Sequence, residues 1–498
     1  MNEMVPEMIN RLKDKILFLG LFAAFLFFYT LQIPWWTSNA DVLIYACRSN
    51  QPAPILQYAF LDAKSLLGLQ PQANYHLGHT LVMWAAYHIA PSGLAHTIWP
   101  AGLVSALAGA LAVALTLLIA LKLNFSKKQS LLIAVFSGFI PSIWYHSLIG
   151  EVYALQLASI LLFIYFFLHN RLIAATLAFL FANLVSPLSG LAFSFVLLAG
   201  ISKKNIVRSA VIGAAALGLY LLIFRLIHSD ITTAFRPLEL DRPDRAILYR
   251  VIMLAAFIVL NLQFFLYYLY RGSRTLWANA RPVAVVLVLG VLPQLLLLFA
   301  SSTLFVELGS FQLPIFWALA FPVGVALAEV KKQRYLILSV ASLLVLAIGL
   351  WFLPAQQQGL ARHRAGDWLA RHTAPQTKMI GDWGAAVGVA LARFDWNFDD
   401  ISNKYFDRPF PTDQDLLATN EDSLIIIHSK KSDFRRMVAR LPIPGVAIEP
   451  YDPYSAIQSG SVKKLYENDA LTLYLWKSTA AKTDRSETID SNEHGSSK

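Results

Sequence analysis

Long apolar runs separated by short clusters of Lys and Arg fill the first 353 residues of this chain, and that alternation leaves few folds open. Inside hydrocarbon every backbone N–H and C=O must be satisfied within its own segment, so such runs form membrane-spanning helices. The clusters at Lys122, Lys127 and Lys128, at Arg171, at Lys203, Lys204 and Arg208, at Arg271, Arg274 and Arg281, and at Lys331, Lys332 and Arg334 close alternate turns. Short basic loops stay cytoplasmic, so these turns face inward, and the turns at 146–151 and 302–313, which carry no Lys or Arg, face outward. A composition 56% hydrophobic and 14% charged agrees with a polytopic membrane protein. The net charge of +10 resides largely in those turns, so no nucleic-acid partner is expected.

The first run, 16–33, follows Arg11, Lys13 and Lys15 and exceeds the ~7–15 residues of a signal-peptide core. An uncleaved first span with a cytoplasmic N-terminus is expected, with cleavage near Ser38-Asn39-Ala40 as the alternative. An external loop, 34–76, follows, and 77–90, short and rich in His, reads as a helix at the interface. Further spans are expected at 97–121, 130–145 and 152–169. Two short ones within 172–200 are broken at Asn183-Leu184-Val185-Ser186-Pro187, a turn suited to lining a cavity. The seventh span, 209–227, opens into an external loop at 228–248 rich in Arg and Asp. The eighth returns to Arg271, the ninth and tenth form a hairpin ending at Lys331, and the eleventh, 335–353, exits outward. The expected fold is therefore mainly α, with about eleven transmembrane helices in residues 1–353.

After Pro354 the composition changes. Short apolar strands at 423–428 and 471–476, with a helical stretch around 433–441, indicate a small extracytoplasmic α/β domain over 354–478. The polar tail, 479–498, is expected to be disordered. Cys47 is the single cysteine, which excludes an intramolecular disulfide and a cysteine metal cluster.

This topology gathers Asp41, Arg48, Asp62, His76, His79, His146, Glu151, Arg225, His228 and Arg236 at the outer face. Carboxylates and cations at one end of an apolar bundle suit a lipid with an anionic head. Asp41 follows Trp35 and Trp36, which would lie at headgroup depth; a solvated loop acid is its other reading. Arg225, in the last turns of its span, fits either a phosphate contact or simple snorkelling. Glu151 either orients an acceptor, pairs with a cation or caps the fourth span, and His146 reads as a hydrogen-bonded interface residue. His76 and His79 share a helix face at i, i+3, yet no HExxH pattern accompanies them and no metal site is expected. No Ser-His-Asp set, Gly-rich phosphate loop or nucleotide fingerprint is evident, so neither a soluble nucleotide substrate nor a cofactor is expected.

Residues 142–155, reading Ser-Ile-Trp-Tyr-His-Ser-Leu-Ile-Gly-Glu-Val-Tyr-Ala-Leu, carry a resemblance. They are similar to the aromatic-rich segment ending in Glu-Val-Tyr-Ala-Leu of GT-C membrane glycosyltransferases, the protein O-mannosyltransferase-like members above all. Residues 184–190 match in position and character, as does Asp41 in the first external loop. The likeness runs through residue 200 and is architectural beyond it; Asn74-Tyr75-His76-Leu77-Gly78-His79 stands where that branch carries a His-Pro-Pro-Gly-Tyr-Pro-like run.

The resemblance implies transfer of a sugar from a polyprenyl-phosphate donor to a hydroxyl of a lipid, glycan or protein acceptor outside the cytoplasm, at a bacterial cytoplasmic membrane. It makes Asp41 the base that activates the acceptor hydroxyl. Arg225, with Arg236 and His228 behind it, would hold the donor phosphate, and Glu151, His146, His76 and His79 would stand on the acceptor side. The departing lipid phosphate is a stable anion, so no second carboxylic acid is required, unlike in most glycosidases. Two rival readings are a flippase or transporter of lipid-linked sugars and a non-catalytic envelope assembly protein. The first calls for intramembrane charges and related halves, which this chain lacks.

Overall fold

A computed structural model describes residues 4–35, 42–43, 76–94, 96–200, 202–226, 247–300, 307–330, 333–381, 383–397, 400–401, 404–407, 413–419, 421–430 and 460–478. The described residues up to Gln357 belong to one compact unit and those from Gln358 onward to a second.

The first unit is helical. Its elements are α1 (Met4–Thr30), α2 (Leu77–Ile89), α3 (Trp99–Lys122), α4 (Lys127–Phe139), α5 (Pro141–His146), α6 (Val152–Leu168) and α7 (Leu172–Val185). After a 3-10 helix, Pro187–Ala199, come α8 (Lys203–Leu226), α9 (Ile247–Leu262), α10 (Phe265–Asn279) and α11 (Arg281–Ala300). A 3-10 turn, Glu307–Gln312, leads to α12 (Leu313–Ala328) and α13 (Gln333–Ala347). Among the described residues α3, α8 and Ser310–Ala328 are long and apolar enough to cross a membrane.

The centre of this unit is α3, whose Ala106, Ala108, Ala110, Ala112 and Ala114 are all buried. Small side chains let backbones approach closely where lipid supplies no hydrophobic drive between helices. Buried hydrogen bonds then tie elements far apart in sequence. The Tyr29 hydroxyl donates to Gly138 O at 2.7 Å, and Trp317 Nε1 donates to Thr116 Oγ1 at 2.9 Å. The Ser142 N–H donates to Asn261 Oδ1 at 2.7 Å, joining α5 to α9.

Three expected spans are built differently from the sequence reading. The segment 130–145 is two helices, because Pro141 cannot continue the ladder of α4 and instead opens α5 as its first residue. The eighth span is also two helices: α9 ends before Gln263, whose backbone is left-handed (φ +47), and Leu254–Leu262 meets α10 at 97°. The expected break near residue 186 is present, but the piece after it is a 3-10 helix, Pro187–Ala199, not an α-helical span. Helix also continues beyond Pro354: α13 passes through a π-turn, Ile348–Phe352, into α14 (Leu353–His372), where Pro354 falls in the first turn and is tolerated.

The second unit contains a five-stranded sheet of order β2-β1-β3-β5-β4. Its strands are β1 (Lys378–Gly381), β2 (Tyr405–Asp407), β3 (Ser423–Ser429), β4 (Gly460–Glu467) and β5 (Leu471–Ser478). Strands β2, β1 and β3 run parallel; β5 is antiparallel to both β3 and β4. The helix α15 (Trp383–Arg393) provides the crossover after β1, and α16 (Asp413–Ala418) precedes β3. The apolar strands β3 and β5 were legible as short buried runs; β4, with alternately half-exposed residues, was not. The stretch 433–441 and the tail 479–498 lie outside the described residues.

Trp476 is completely buried and clusters with Ile380, Leu416, Leu424, Ile426 and Tyr474. Trp476→Ala is expected to destabilise this sheet by about 3–5 kcal/mol, through lost burial and the cavity left behind. Hydrogen exchange of the β3 and β5 amides should accelerate accordingly in the full-length protein.

Candidate functional site

The segment between α5 and α6 turns sharply over the first turns of α3. Gly150 makes the turn with φ +78, and a Cβ there would stand 2.6 Å from the Ala101 Cβ. A left-handed backbone with no room for a side chain requires glycine. Glu151 follows and caps α6: its side chain accepts from the Val152 N–H at 3.3 Å, and its backbone oxygen accepts from Ser105 Oγ at 3.3 Å. The carboxylate is 2% exposed and stands where the helix dipole favours a negative charge. Of the readings open to Glu151, capping is the one the described contacts display.

The start of α2 is anchored to the same turn. His79 is fully buried, and its ring is set against the Gly150 backbone. Three residues earlier, His76 Nδ1 donates to Val185 O at 2.7 Å, at the break before Pro187. Thus α2 joins segments 142–155 and 184–190, the two that carry the family resemblance. His146, 1% exposed, sits edge-on to Tyr145 at 5.2 Å and to Tyr153 at 5.1 Å. The structure therefore brings His76, His79, His146 and Glu151 onto one region of the bundle.

Burial pushes the His76 imidazole down to about 4. It pushes His79 down to about 3, with repulsion from His76 adding to the effect. Both rings are neutral at pH 7. Because folded values lie below the ordinary 6.5, their contribution is intact above pH 6.5 and is lost as pH falls toward 4 and then 3. Each neutral histidine should cost about 2 kcal/mol of stability on going from pH 7.5 to pH 5.0. Thermal unfolding at the two pH values is the measurement, and His76→Gln with His79→Gln should flatten the difference.

Asp41, His228 and Arg236 lie outside the described residues. Arg225 is exposed in the last turn of α8, where a cation complements the helix C-terminus, and it has no ion-pair partner among the described residues. Among the described residues no hydrogen bond or ion pair is found between it and the His79–Glu151 region. Among the described residues no group of three or more His, Cys, Asp or Glu is placed to hold a metal ion.

The ring of Phe311 meets Tyr153 at 5.1 Å and also lines a small cavity of about 20 Å³, room for about one water. Gln156, Ile160, Leu188, Gln294 and Pro314 line it as well. Gln156 and Gln294 are only 8% and 6% exposed. Among the described residues neither the amide nitrogen nor the oxygen of Gln294 has a partner. A search of the sequence for charges passes over both residues. The signal that finds them is a single amide within a long apolar run, since polar groups at such depth are costly unless used.

No family model and no curated protein matches this sequence. Solved structures do. ArnT from Cupriavidus metallidurans bound to undecaprenyl phosphate matches over 92% of this chain and 97% of its own, at 13% identity and a TM-score of 0.52. The apo state of the same protein matches over the same shares at 14% identity and a TM-score of 0.50. At such identities the likeness is one of fold, and ArnT is a GT-C glycosyltransferase.

Proposed function

We propose that this chain is an integral-membrane glycosyltransferase that moves a sugar from a polyprenyl-phosphate donor to an acceptor hydroxyl, in the manner of the O-mannosyltransferase-like branch. The observation that carries the reading is the agreement of fold along almost the whole chain with ArnT, a protein solved with undecaprenyl phosphate bound. The joining of segments 142–155 and 184–190 by His76 and His79 supports it from the chain's own residues.

In this reading Asp41 accepts the proton of the acceptor hydroxyl as that oxygen attacks the anomeric carbon. The bond from the anomeric carbon to the phosphate oxygen breaks, and its electron pair leaves with the lipid phosphate. Arg225, Arg236 and His228 offset the charge that gathers on the phosphate. Glu151 and the buried histidines hold the turn that leads into α6, and so act by positioning. The protein spans a bacterial cytoplasmic membrane about eleven times, with its N-terminus inside and the α/β domain, 354–478, outside.

Mass spectrometry of envelope glycans and glycoproteins, comparing a deletion strain with one carrying the wild type, tests the proposal. A sugar lost on deletion and restored by the wild type identifies the acceptor. Transport of intact lipid-linked sugar by purified protein in vesicles, without transfer to any acceptor, would replace this reading with the flippase.

A further inference from the structure

The outer edge of α10 has no place in the scheme above. Phe265, Tyr268, Gly272 and Leu276 form the buried face of this helix. A Cβ at Gly272 would overlap the Pro322 carbonyl, so that face is fixed closely against α12. The opposite side is open. Tyr267, Tyr270 and Trp277, with Phe264 just before the helix, are each 50% or more exposed. Arg271, Arg274 and Arg281 are exposed beside them.

Arg271 pairs with Glu329 at 3.5 Å. Arg274 and Arg281 have no carboxylate partner among the described residues, and no Asp or Glu occurs in the sequence from 247 to 300. Their guanidinium groups lie on rings instead, Arg274 over Tyr270 at 5.9 Å and Arg281 over Trp277 at 4.9 Å. A guanidinium stacked in this way is held in place while the N–H donors in its own plane still point outward. Two of them beside Trp277 offer forks that match the oxygens of a phosphate.

The helix that follows says where such a phosphate comes from. Val288, Leu292 and Leu296 of α11 are exposed and spaced four residues apart, so they form one outward stripe. That stripe lies roughly 10–23 Å along the helix from Arg281, and an apolar stripe of this length faces hydrocarbon. Arg281 and Trp277 then stand at the edge of the lipid, the depth at which Trp and Tyr gather. Setting the orientation of a span requires positive charge alone, which Lys supplies as well as Arg. Rings beneath the guanidinium groups and the lack of nearby acids go beyond that need. A zwitterionic head group would bring its own cation against the two Arg, so a net negative one fits better.

We propose that Arg274 and Arg281, seated on Tyr270 and Trp277, bind the head group of an anionic phospholipid. The proposal rests on residues 1–353 being embedded in a membrane, and it is independent of which sugar or acceptor is used.

The test is native mass spectrometry of the full-length protein released from nanodiscs of mixed phosphatidylglycerol and phosphatidylcholine with the same acyl chains. The wild type should retain phosphatidylglycerol with about tenfold preference. Arg274→Gln with Arg281→Gln should abolish that preference. Arg274→Lys with Arg281→Lys keeps both charges without the forks and should lose most of it. Lys203→Gln with Lys204→Gln removes the same charge at the exposed start of α8 and should behave as the wild type. All four positions are exposed, and melting temperatures check that each pair folds; the Lys pair decides should the Gln pair fail to. A wild type without preference, or an Arg274/Arg281 pair that keeps it, overturns the site. Equal loss in the Lys203/Lys204 pair also overturns it, in favour of diffuse charge attraction. Displacement of the retained lipid by inorganic phosphate overturns the lipid as occupant.

Discussion

Asp41→Asn is expected to lower kcat for sugar transfer by about 10²–10⁴-fold in reconstituted vesicles, with KM for the lipid donor little changed. Asparagine matches the carboxylate in size and keeps an acceptor oxygen, so the substitution removes the proton-accepting function and little else. An acceptor hydroxyl is a weak nucleophile without a base, which is why the loss falls on turnover. Asp41→Glu keeps a base at a displaced position and should recover part of the rate. Retention of full activity by a normally folded Asp41→Asn protein would make Asp41 a solvated loop acid and remove it from the mechanism.

Gly150→Val should be the most disruptive single substitution near the candidate site. Valine at φ +78 adopts a backbone conformation that costs about 1–3 kcal/mol, and fitting a Cβ 2.6 Å from the Ala101 Cβ costs about 1–3 kcal/mol more. The damage goes beyond stability, because the same turn carries the Glu151 cap and the His79 anchor. Transfer activity is therefore expected to fall further than the loss of folded protein accounts for, read as activity per folded molecule against the melting temperature. Gly93→Val is the matched control: a Cβ at Gly93 meets nothing within 4 Å, and its effect should stay within about 0.5 kcal/mol.

Much of the helical unit could be read from local pattern. The runs that became α3 and α8 were visible because a helix in lipid satisfies its backbone within itself, so polarity alone announces it. The break before Pro187 and the cap at Glu151 were visible for the same reason, each depending on one residue type at one position. The Pro141 break, the bend at Gln263 and the short or polar strands β1, β2 and β4 were not seen as such. Each is decided by a backbone conformation or by pairing with strands elsewhere.

What the sequence alone determined is the existence and order of the apolar helices and a strand-forming segment after them. What only the tertiary structure decided is which polar residues meet. His76 reaches Val185 across 109 residues, His79 reaches Gly150, and Gln156 and Gln294 come to line one cavity. No periodicity encodes these encounters. They follow from how closely small residues such as those of α3 let helices approach, and from buried hydrogen bonds that one packing satisfies and others leave open.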